Sequence, residues 1–600
     1  MTGCRARIAF AAFLALAVMA AAQDQPPATG APTPLGGPQT APAPSSGGQG
    51  PDAQPSDDPP PAADAVPGEF KPGIFRKAVQ PVVTEGDLSG VVDGPPVGTL
   101  DDAHGGLGQA MWSGAARGDI EDLLGRIPFA SADPFARSLS RRVLLTISDA
   151  PPGAARRALV TIRIEKLLQG GLIDEAGATA AALRLGNDPD FARVQAEALL
   201  YAGRDKEVCS DLTATRLTAP EPFWLQLRSW CFAASGDGAS AELTRAVLEA
   251  QDIKDPALDR LTSDILAGRK TSPANIEHPT ALHIYLLRKA GLPVTNAIAA
   301  KLGTAANLLA ARDPRNKPAD RLAAATRIAS TGALSGAETV ALLNAQDIPP
   351  SALVKGDADK LPYLPAQSLL RRQASLETRL PVRAAILSTA VTPYPERWAQ
   401  TAQLQGDLAA TIPPDSADPA NRILFARTLA LAGRSDAAAG WYAGAPDSIE
   451  REAFLVLIDL AAPTAARDAA AQRAISWLTI NATPQKDPSP LAALALGLSD
   501  ALGRPISPQA QTLAAAFEAL PWASVTRRPP DAELAMLRDA AAQPGRRGEV
   551  ALRVLALVGD GGPRGLSPSV LIACVRALDR AGLTADARAL AVEALALSPL

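Results

Sequence analysis

A helix–glycine–helix pattern recurs seven times in the chain after residue 160. Each copy has an apolar helical stripe, a Gly, one or two polar residues and an Ala-rich helix, as in IEKLLQGGLIDEAGATAAAL and VRALDRAGLTADARALAVEAL. A Gly just past a helix can adopt the left-handed conformation that ends it, and Asp, Ser or Thr can cap the next helix. Helical hairpins stacked in this way bury their apolar faces against their neighbours. The pattern predicts an all-α, right-handed superhelix (an α-solenoid of helical hairpins) from about residue 110 to 600. The hinge glycines are Gly171, Gly203, Gly236, Gly291, Gly332, Gly433 and Gly582.

The first 22 residues have the features of a secretory signal peptide. Arg5 and Arg7 provide a positive start, an apolar run follows, and three alanines ending at Ala22 form a small-residue cleavage site. The apolar run is shorter than the roughly 20 residues that a membrane span needs. We expect cleavage near Ala22 and export to the periplasm. An uncleaved inner-membrane anchor is the alternative.

Residues 23–70 are predicted to be a disordered, Pro-, Ala- and Gly-rich segment. Positions 23–68 contain 13 Pro and 7 Gly, and Leu35 and Val66 are the only large apolar side chains there. Such a stretch cannot bury enough apolar surface to offset the entropy lost on ordering. It either spaces the helical array from an anchor or is a low-complexity tail without a role of its own.

The rest of the chain divides by its density of Pro and Gly. Residues 71–116 still contain both and are expected to form an irregular N-terminal capping region. The helical array is expected to run over 117–345 and 421–600, and the Pro-richer stretch 346–420 is expected to connect the two parts. Aromatic residues make up only 4% of the chain, so Leu, Ile, Val and many Ala must build the core.

The net charge of −4 over 600 residues argues against a partner held by phosphate neutralisation. We therefore expect no nucleic-acid partner. No segment after the signal is long and apolar enough to predict a membrane span, so we expect none in the mature chain. The oligomeric state is left open by the sequence.

Two cysteines are placed to form a disulfide. Cys209 and Cys231 each lie about ten residues from Pro220, one on the helix before this turn and one on the helix after it. Positions equidistant from the loop of an antiparallel hairpin face each other, and an exported protein meets an oxidising compartment. We predict a Cys209–Cys231 disulfide, with two reduced core cysteines as the alternative. Cys574 lies among apolar residues and is expected to be a core residue.

The sequence lacks the residue patterns of common catalytic and metal sites. Its three histidines include His278 and His283, which are five positions apart and so do not share one helical face. His-Glu-x-x-His, Gly-x-Ser-x-Gly and P-loop motifs are missing. We expect no catalytic residues, no metal site and no cofactor.

The densest aromatic cluster surrounds the second cysteine of the predicted disulfide. Trp224 and Trp230 lie on the same predicted helix as Cys231. Exposed aromatic side chains often dominate binding to protein partners. Trp224 and Trp230 are therefore possible partner-binding residues, and the alternative is a packed core around the disulfide.

The hinge motifs resemble degenerate tetratricopeptide-type repeats. Ala-Leu-x-x-Ala-Gly-x-x-x-x-Ala is visible in ARTLALAGRSDAAAGWYA, and Gly171, Gly203 and Gly236 are 32 and 33 residues apart, close to the 34-residue period of that class. An exported, Ala-rich superhelix also resembles the non-catalytic part of large soluble lytic transglycosylases, whose catalytic motifs have no match here. More generally, the chain is similar to uncharacterised periplasmic helical-repeat proteins of Gram-negative bacteria, and that resemblance implies no reaction.

These observations favour a non-enzymatic scaffold or adaptor that binds proteins or peptides in an envelope assembly. One alternative is an enzyme or enzyme subunit acting on cell-wall glycan, with the superhelix shaping a groove. Another is an accessory component of an envelope machine such as the flagellar motor.

Overall fold

The computed structural model describes residues 93–598, except for 128, 184–187, 215–220, 271–274, 356, 444, 485–488, 521 and 523. The predicted signal peptide and the predicted disordered segment lie outside the described residues. Within the described ranges there are 28 α-helices and no strand longer than an isolated bridge. The prediction of an all-α fold is confirmed.

The helices follow one another with short connections along the whole described chain. In the first half they are α1 (Arg117–Arg126), α2 (Pro134–Leu145), α3 (Leu159–Gln169), α4 (Ile173–Ala181), α5 (Pro189–Tyr201), α6 (Asp205–Ala214), α7 (Pro222–Ala234), α8 (Gly238–Ala250), α9 (Pro256–Leu266), α10 (Ala281–Lys289), α11 (Asn296–Ala299), α12 (Thr304–Arg312), α13 (Pro318–Arg327) and α14 (Gly336–Asn344). In the second half they are α15 (Pro350–Lys355), α16 (Tyr363–Leu376), α17 (Leu380–Val391), α18 (Trp398–Ala409), α19 (Arg422–Leu431), α20 (Ser435–Gly440), α21 (Ile449–Ala461), α22 (Ala465–Asn481), α23 (Pro490–Ala501), α24 (Pro508–Glu518), α25 (Asp531–Ala542), α26 (Arg547–Val558), α27 (Pro568–Arg580) and α28 (Thr584–Leu597).

Consecutive helices pack as hairpins, as the repeat pattern predicts. The most extensive pairs are α4 with α5, α7 with α8, α12 with α13, α16 with α17, α21 with α22, α23 with α24 and α27 with α28. Each pair also packs on helices of neighbouring pairs, for example α3 on α5 and α23 on α27. The apolar stripe of each helix is thereby buried between neighbours, which is the packing of a helical-repeat array.

All seven hinge glycines have positive φ angles, between 66° and 86°. This is the left-handed region that the sequence analysis assigned to them, and it ends the preceding helix so that the chain can reverse. The Asp-Pro helix starts are equally regular. The carboxylate of Asp133 accepts a hydrogen bond from the backbone N–H of Ala136 at the start of α2, and Asp188 caps α5 in the same way.

One apolar core runs through the array from Leu107 to Ala596, and Ala and Leu supply most of it. A second, small cluster lies in the Pro-richer stretch and joins α16, α17 and the turn before them. It contains Ala358, Ala366, Leu369, Leu370 and Ala390. Small side chains let the helices approach closely. The core therefore consists of many interfaces between helices, each of which buries a small apolar area.

The two ends of the described array are in contact with each other. α1 and α2 pack on α26, and α2 also packs on the last helix, α28. Gly548 of α26 faces the indole ring of Trp112 so closely that a Cβ atom at this position would collide with the ring. Arg142 of α2 forms an ion pair with Asp586 of α28. α28 therefore contacts the beginning of the array as well as its own neighbours.

Residues 93–100 are held against the first hairpins by backbone contacts. Val97 and Leu100 form isolated β-bridges with Ser148 and Thr146, in the connection after α2. The buried guanidinium of Arg163 donates to the backbone carbonyl oxygens of Val97, Leu144 and Thr146. This single side chain ties the irregular N-terminal region to two helices.

Candidate functional site

A cavity lies where elements from the first and middle thirds of the described chain meet. Its volume is about 590 Å³, and its walls come from α2, the α3–α4 hinge, the end of α12, the segment 331–338 leading into α14, and α18. This volume is within the range of roughly 300–1,000 Å³ that is typical of ligand-binding pockets. We refer to it as the central cleft.

The floor of the central cleft depends on two hinge glycines. A Cβ atom at Gly171 would lie 2.5 Å from the Cβ atom of Ala333, so a Gly at this position allows the α3–α4 hinge to touch the segment before α14. A Cβ atom at Gly332 would lie 2.5 Å from the carbonyl oxygen of Ser131 and 2.7 Å from Cδ of Arg137. The hinges that end helices therefore also bring distant repeats together around the cleft.

α2 contributes one polar face to the cleft. Arg137, Ser138 and Arg141 line the cavity, whereas Phe135 and Leu139 of the same helix are buried in the core. The amphipathic spacing of α2 thus directs its charged residues into the cleft. Ser138 is exposed there, which makes it a convenient position for a probe.

Two of the basic side chains in the cleft are neutralised by ion pairs. The guanidinium of Arg141 lies 2.5 Å from the carboxylate of Glu175, and that of Arg312 lies 2.9 Å from the carboxylate of Glu338. Each pair links two elements of the wall. Each of these two ion pairs is neutral, so together they add no net charge to the cleft wall.

The two other basic side chains lack such a partner. Among the described residues, no carboxylate oxygen lies within 4.0 Å of the charged groups of Arg137 and Lys166. Burial lowers the pKa of both groups, and the ammonium of Lys166 lies 5.7 Å from the ring centroid of Phe129. Both side chains are still cations at neutral pH, because their ordinary pKa values are so high. The exposed Asp174 also lines the cleft, so the wall is mixed in charge with two unpaired cations.

Two helix N-termini open onto the same cavity. Residues 173–175 begin α4, and no side chain caps this helix. α14 starts at Gly336, and Ser335 caps it through the backbone N–H of Glu338. Each N-terminus carries a partial positive charge that adds to the potential of the unpaired cations.

A pair of buried carboxyl groups lies behind Arg137, outside the cleft. Burial raises the pKa of Asp133, and burial together with the charge of Asp133 raises the pKa of Glu593 well above its ordinary value. The charge of Arg137 acts on both carboxyl groups in the opposite direction. Glu593 is only 6% exposed and does not line the cavity, so a ligand in the cleft does not reach it.

The predicted disulfide between Cys209 and Cys231 is present. The Cα atoms are 5.3 Å apart, and the bond joins α6 to α7. The buried thiol of Cys574 lies in the core of α27, where burial raises its pKa to about 12. A thiol with this pKa is not a nucleophile at neutral pH.

Trp224 and Trp230 are both 1% exposed, so the structure places the two indole rings in the core. Trp230 packs edge-on against Tyr285 of α10, with ring centroids 5.8 Å apart. This is the packed arrangement that the sequence analysis gave as the alternative. A role of these rings in partner binding stays an untested prediction, and their burial does not support it.

The sequence analysis did not single out Arg137 or Lys166. Both lie on ordinary amphipathic helices that pack on each other, and the contact of Gly171 with Ala333 adds the opposite part of the cavity wall. That contact joins residues about 160 positions apart in the chain. No short sequence motif predicts such a long-range contact, so the cleft cannot be identified from a single sequence.

Comparisons with known proteins returned no relative. No protein-family model matches the chain, and neither a curated protein nor a solved structure shows significant similarity to it. In the described part of the chain, no helix is both long enough and apolar enough to cross a membrane. The same residues contain no group of three or more His, Cys, Asp and Glu side chains that could hold a metal ion.

Proposed function

We propose that the chain is a non-enzymatic scaffold or adaptor of the bacterial periplasm that holds a segment of a partner protein in the central cleft. The observation that carries this proposal is the cleft itself, in which hinges of separate repeats surround a cavity of about 590 Å³. Helical-repeat proteins use such inner surfaces to bind extended partners. A peptide segment suits walls that combine apolar, charged and backbone groups.

The compartment is supported by two independent features. The signal-like start of the chain directs export, and the Cys209–Cys231 disulfide fits an oxidising environment. The tetratricopeptide-like hinges support a role in binding partners. The periplasm of a Gram-negative bacterium is therefore where we expect the chain to act.

The test is affinity capture from periplasmic extract with a variant whose cleft is filled. Ser138→Trp places an indole ring in the cavity, and Ser476→Trp is the matched control, since Ser476 is an exposed Ser on α22 outside the cleft. We expect a partner that the wild type and Ser476→Trp retain and that Ser138→Trp loses. Equal capture by all three chains would mean that partners bind elsewhere.

A muropeptide-release assay with the purified chain runs in parallel. The proposal expects no release from cell-wall glycan beyond that of a heat-denatured sample. Reproducible release would contradict a non-enzymatic role and favour an enzyme acting on glycan. Localisation is tested by N-terminal sequencing of the protein from cells, which we expect to begin just after Ala22.

A further inference from the structure

We infer that the segment bound in the central cleft is acidic, and that Arg137 and Lys166 recognise its carboxylates. This inference rests on the proposed function, because it specifies the chemistry of the occupant of the same cleft. It comes from the charges of the wall, where four basic side chains stand against three carboxylates. Two of the carboxylates form ion pairs with Arg141 and Arg312, and the exposed Asp174 does not pair with Arg137 or Lys166, so one positive charge is in excess.

The two unpaired cations are held in place by the fold. The hinge at Gly332 packs against the side chain of Arg137, since a Cβ atom on Gly332 would lie 2.7 Å from Cδ of Arg137. The ammonium of Lys166 lies against the ring of Phe129. Side chains that are already ordered lose little entropy when they bind a ligand, which favours recognition by these groups.

Both cations are also partly removed from water without a compensating ion pair nearby. The acidic groups that act on Arg137 are Asp133 and Glu593, and both are more than 4.0 Å from its guanidinium. Burial raises the pKa of both of these carboxyl groups, and the acidic group that acts on Lys166 is Glu165 of its own helix. A carboxylate entering the cleft therefore finds two cations without a carboxylate partner at ion-pair distance, and hydrogen bonds between charged groups are stronger than those between neutral ones.

An acidic peptide fits these features better than a neutral or basic one. Four basic and three acidic side chains leave the wall with one excess positive charge, and the two helix N-termini add to the positive potential. The ion pairs of Arg141 and Arg312 are neutral, so the excess positive charge of the cleft is confined to the surroundings of Arg137 and Lys166. The number of free cations predicts that one or two Asp or Glu side chains of the segment bind here, and that the remaining wall contacts its backbone and apolar groups.

Selection from a displayed library of random heptapeptides tests the inference without knowledge of the natural partner. The purified chain selects peptides, and those whose binding is lost with Ser138→Trp are scored as cleft ligands. We expect these peptides to be enriched in Asp and Glu. Their affinity is expected to fall roughly tenfold or more for Arg137→Gln/Lys166→Gln, which removes two charge-assisted contacts. Binding should also weaken as salt rises.

The control variant is Lys206→Gln/Arg473→Gln, which removes one exposed Lys and one exposed Arg far from the cleft wall in sequence. It is expected to bind the acidic peptides as the wild type does. If Arg137→Gln impairs folding, as judged by circular dichroism, Lys166→Glu serves instead, because reversal of this charge should shift selection away from acidic peptides.

The outcomes separate this inference from the proposed function. Cleft ligands without acidic enrichment, or acidic ligands that bind Arg137→Gln/Lys166→Gln as tightly as the wild type, would overturn the acidic-segment inference and leave the proposed function standing. A library that yields no ligand sensitive to Ser138→Trp would remove the proposed function, and the inference with it.

Discussion

The backbone N–H of Phe135 donates a hydrogen bond of 2.9 Å to the carboxyl group of Glu593. Phe135 lies in the first turn of α2, and Glu593 lies on the last helix, 458 residues further along the chain. The contact is buried and includes the neighbouring carboxyl group of Asp133, which caps α2. The beginning and the end of the array are thus joined through a pair of acids, and this junction lies directly behind Arg137 of the central cleft.

The junction should make stability depend on pH. The pKa of Glu593 in the folded chain is raised above its ordinary value, chiefly by burial and then by Asp133. A group of this kind contributes stability that is fully present below its unfolded pKa and is lost as the pH rises through its folded pKa. The contribution of Glu593 to the free energy of unfolding should therefore fall as the pH increases above the ordinary range of Glu.

The variant Glu593→Gln isolates this effect. Its amide keeps an acceptor for the N–H of Phe135 and a donor toward Asp133, but it does not titrate. Urea unfolding of both chains between about pH 5 and about pH 9 should show the variant gaining stability relative to the wild type as the pH rises. Parallel stability profiles for the two chains would contradict a protonated Glu593 at this junction.

The disulfide should stabilise the packing of α6 on α7. Cys209 and Cys231 close a loop with a sequence separation of 22 residues, for which the chain-entropy relation gives about 3 kcal/mol. Cys209→Ala/Cys231→Ala should lower the free energy of unfolding by about this amount, and reductant should have the same effect on the wild type but none on the variant. Peptide mapping without reductant checks the bond directly, and two free thiols in exported protein would refute it.

The hinge at Gly332 should be more sensitive to substitution than the open hinge at Gly433. Gly433 has φ of 71° and open space where a Cβ atom would be, so Gly433→Ala should cost only the left-handed strain of about 1 kcal/mol. Gly332 has φ of 66°, and its Cβ atom would also collide with Ser131 and Arg137. We expect Gly332→Ala to cost about 1–3 kcal/mol more than the control in chemical unfolding. Equal losses in the free energy of unfolding for the two variants would show that the α13–α14 turn does not pack closely against α2.

Arg163 should hold the irregular segment at residues 93–100 in place. Its buried guanidinium donates to three backbone carbonyl oxygens, including that of Val97, and Arg163→Met leaves these oxygens unsatisfied. We expect a loss of roughly 3 kcal/mol and faster hydrogen exchange at the amides of Thr99 and Leu100. Arg245→Met is the control, because the exposed Arg245 pairs with Glu242 in an i,i+3 contact worth less than about 1 kcal/mol. Unchanged exchange at Thr99 in Arg163→Met would contradict this role.

Local patterns predicted the fold well. The hinge glycines, the Asp-Pro helix starts and the Cys209–Cys231 pair all depend on residues close in sequence or symmetric about one turn. Backbone conformation and hairpin packing act at that range, so a single sequence contains the signal. The same reasoning left Trp224 and Trp230 with two interpretations, because periodicity does not say which helix faces solvent.

The central cleft and the junction of the two ends were not predictable in this way. Both depend on how far the array turns per repeat, and small tilts at each helix interface add up over 28 helices within the described residues. The contacts of Gly332 with Arg137 and of Phe135 with Glu593 result from these accumulated tilts. The residue types at these positions do not predict which distant residues they contact.

The most direct test of the proposed function is photocrosslinking in cells from within the central cleft. A photoreactive amino acid at Ser138 samples the cavity, and the same group at Ser476 samples an exposed helix outside it. We predict that position 138 alone gives a defined crosslink, and that mass spectrometry maps it to an acidic segment of one periplasmic protein. Identical adducts at both positions, or adducts at position 476 with none at 138, would contradict a binding role for the cleft.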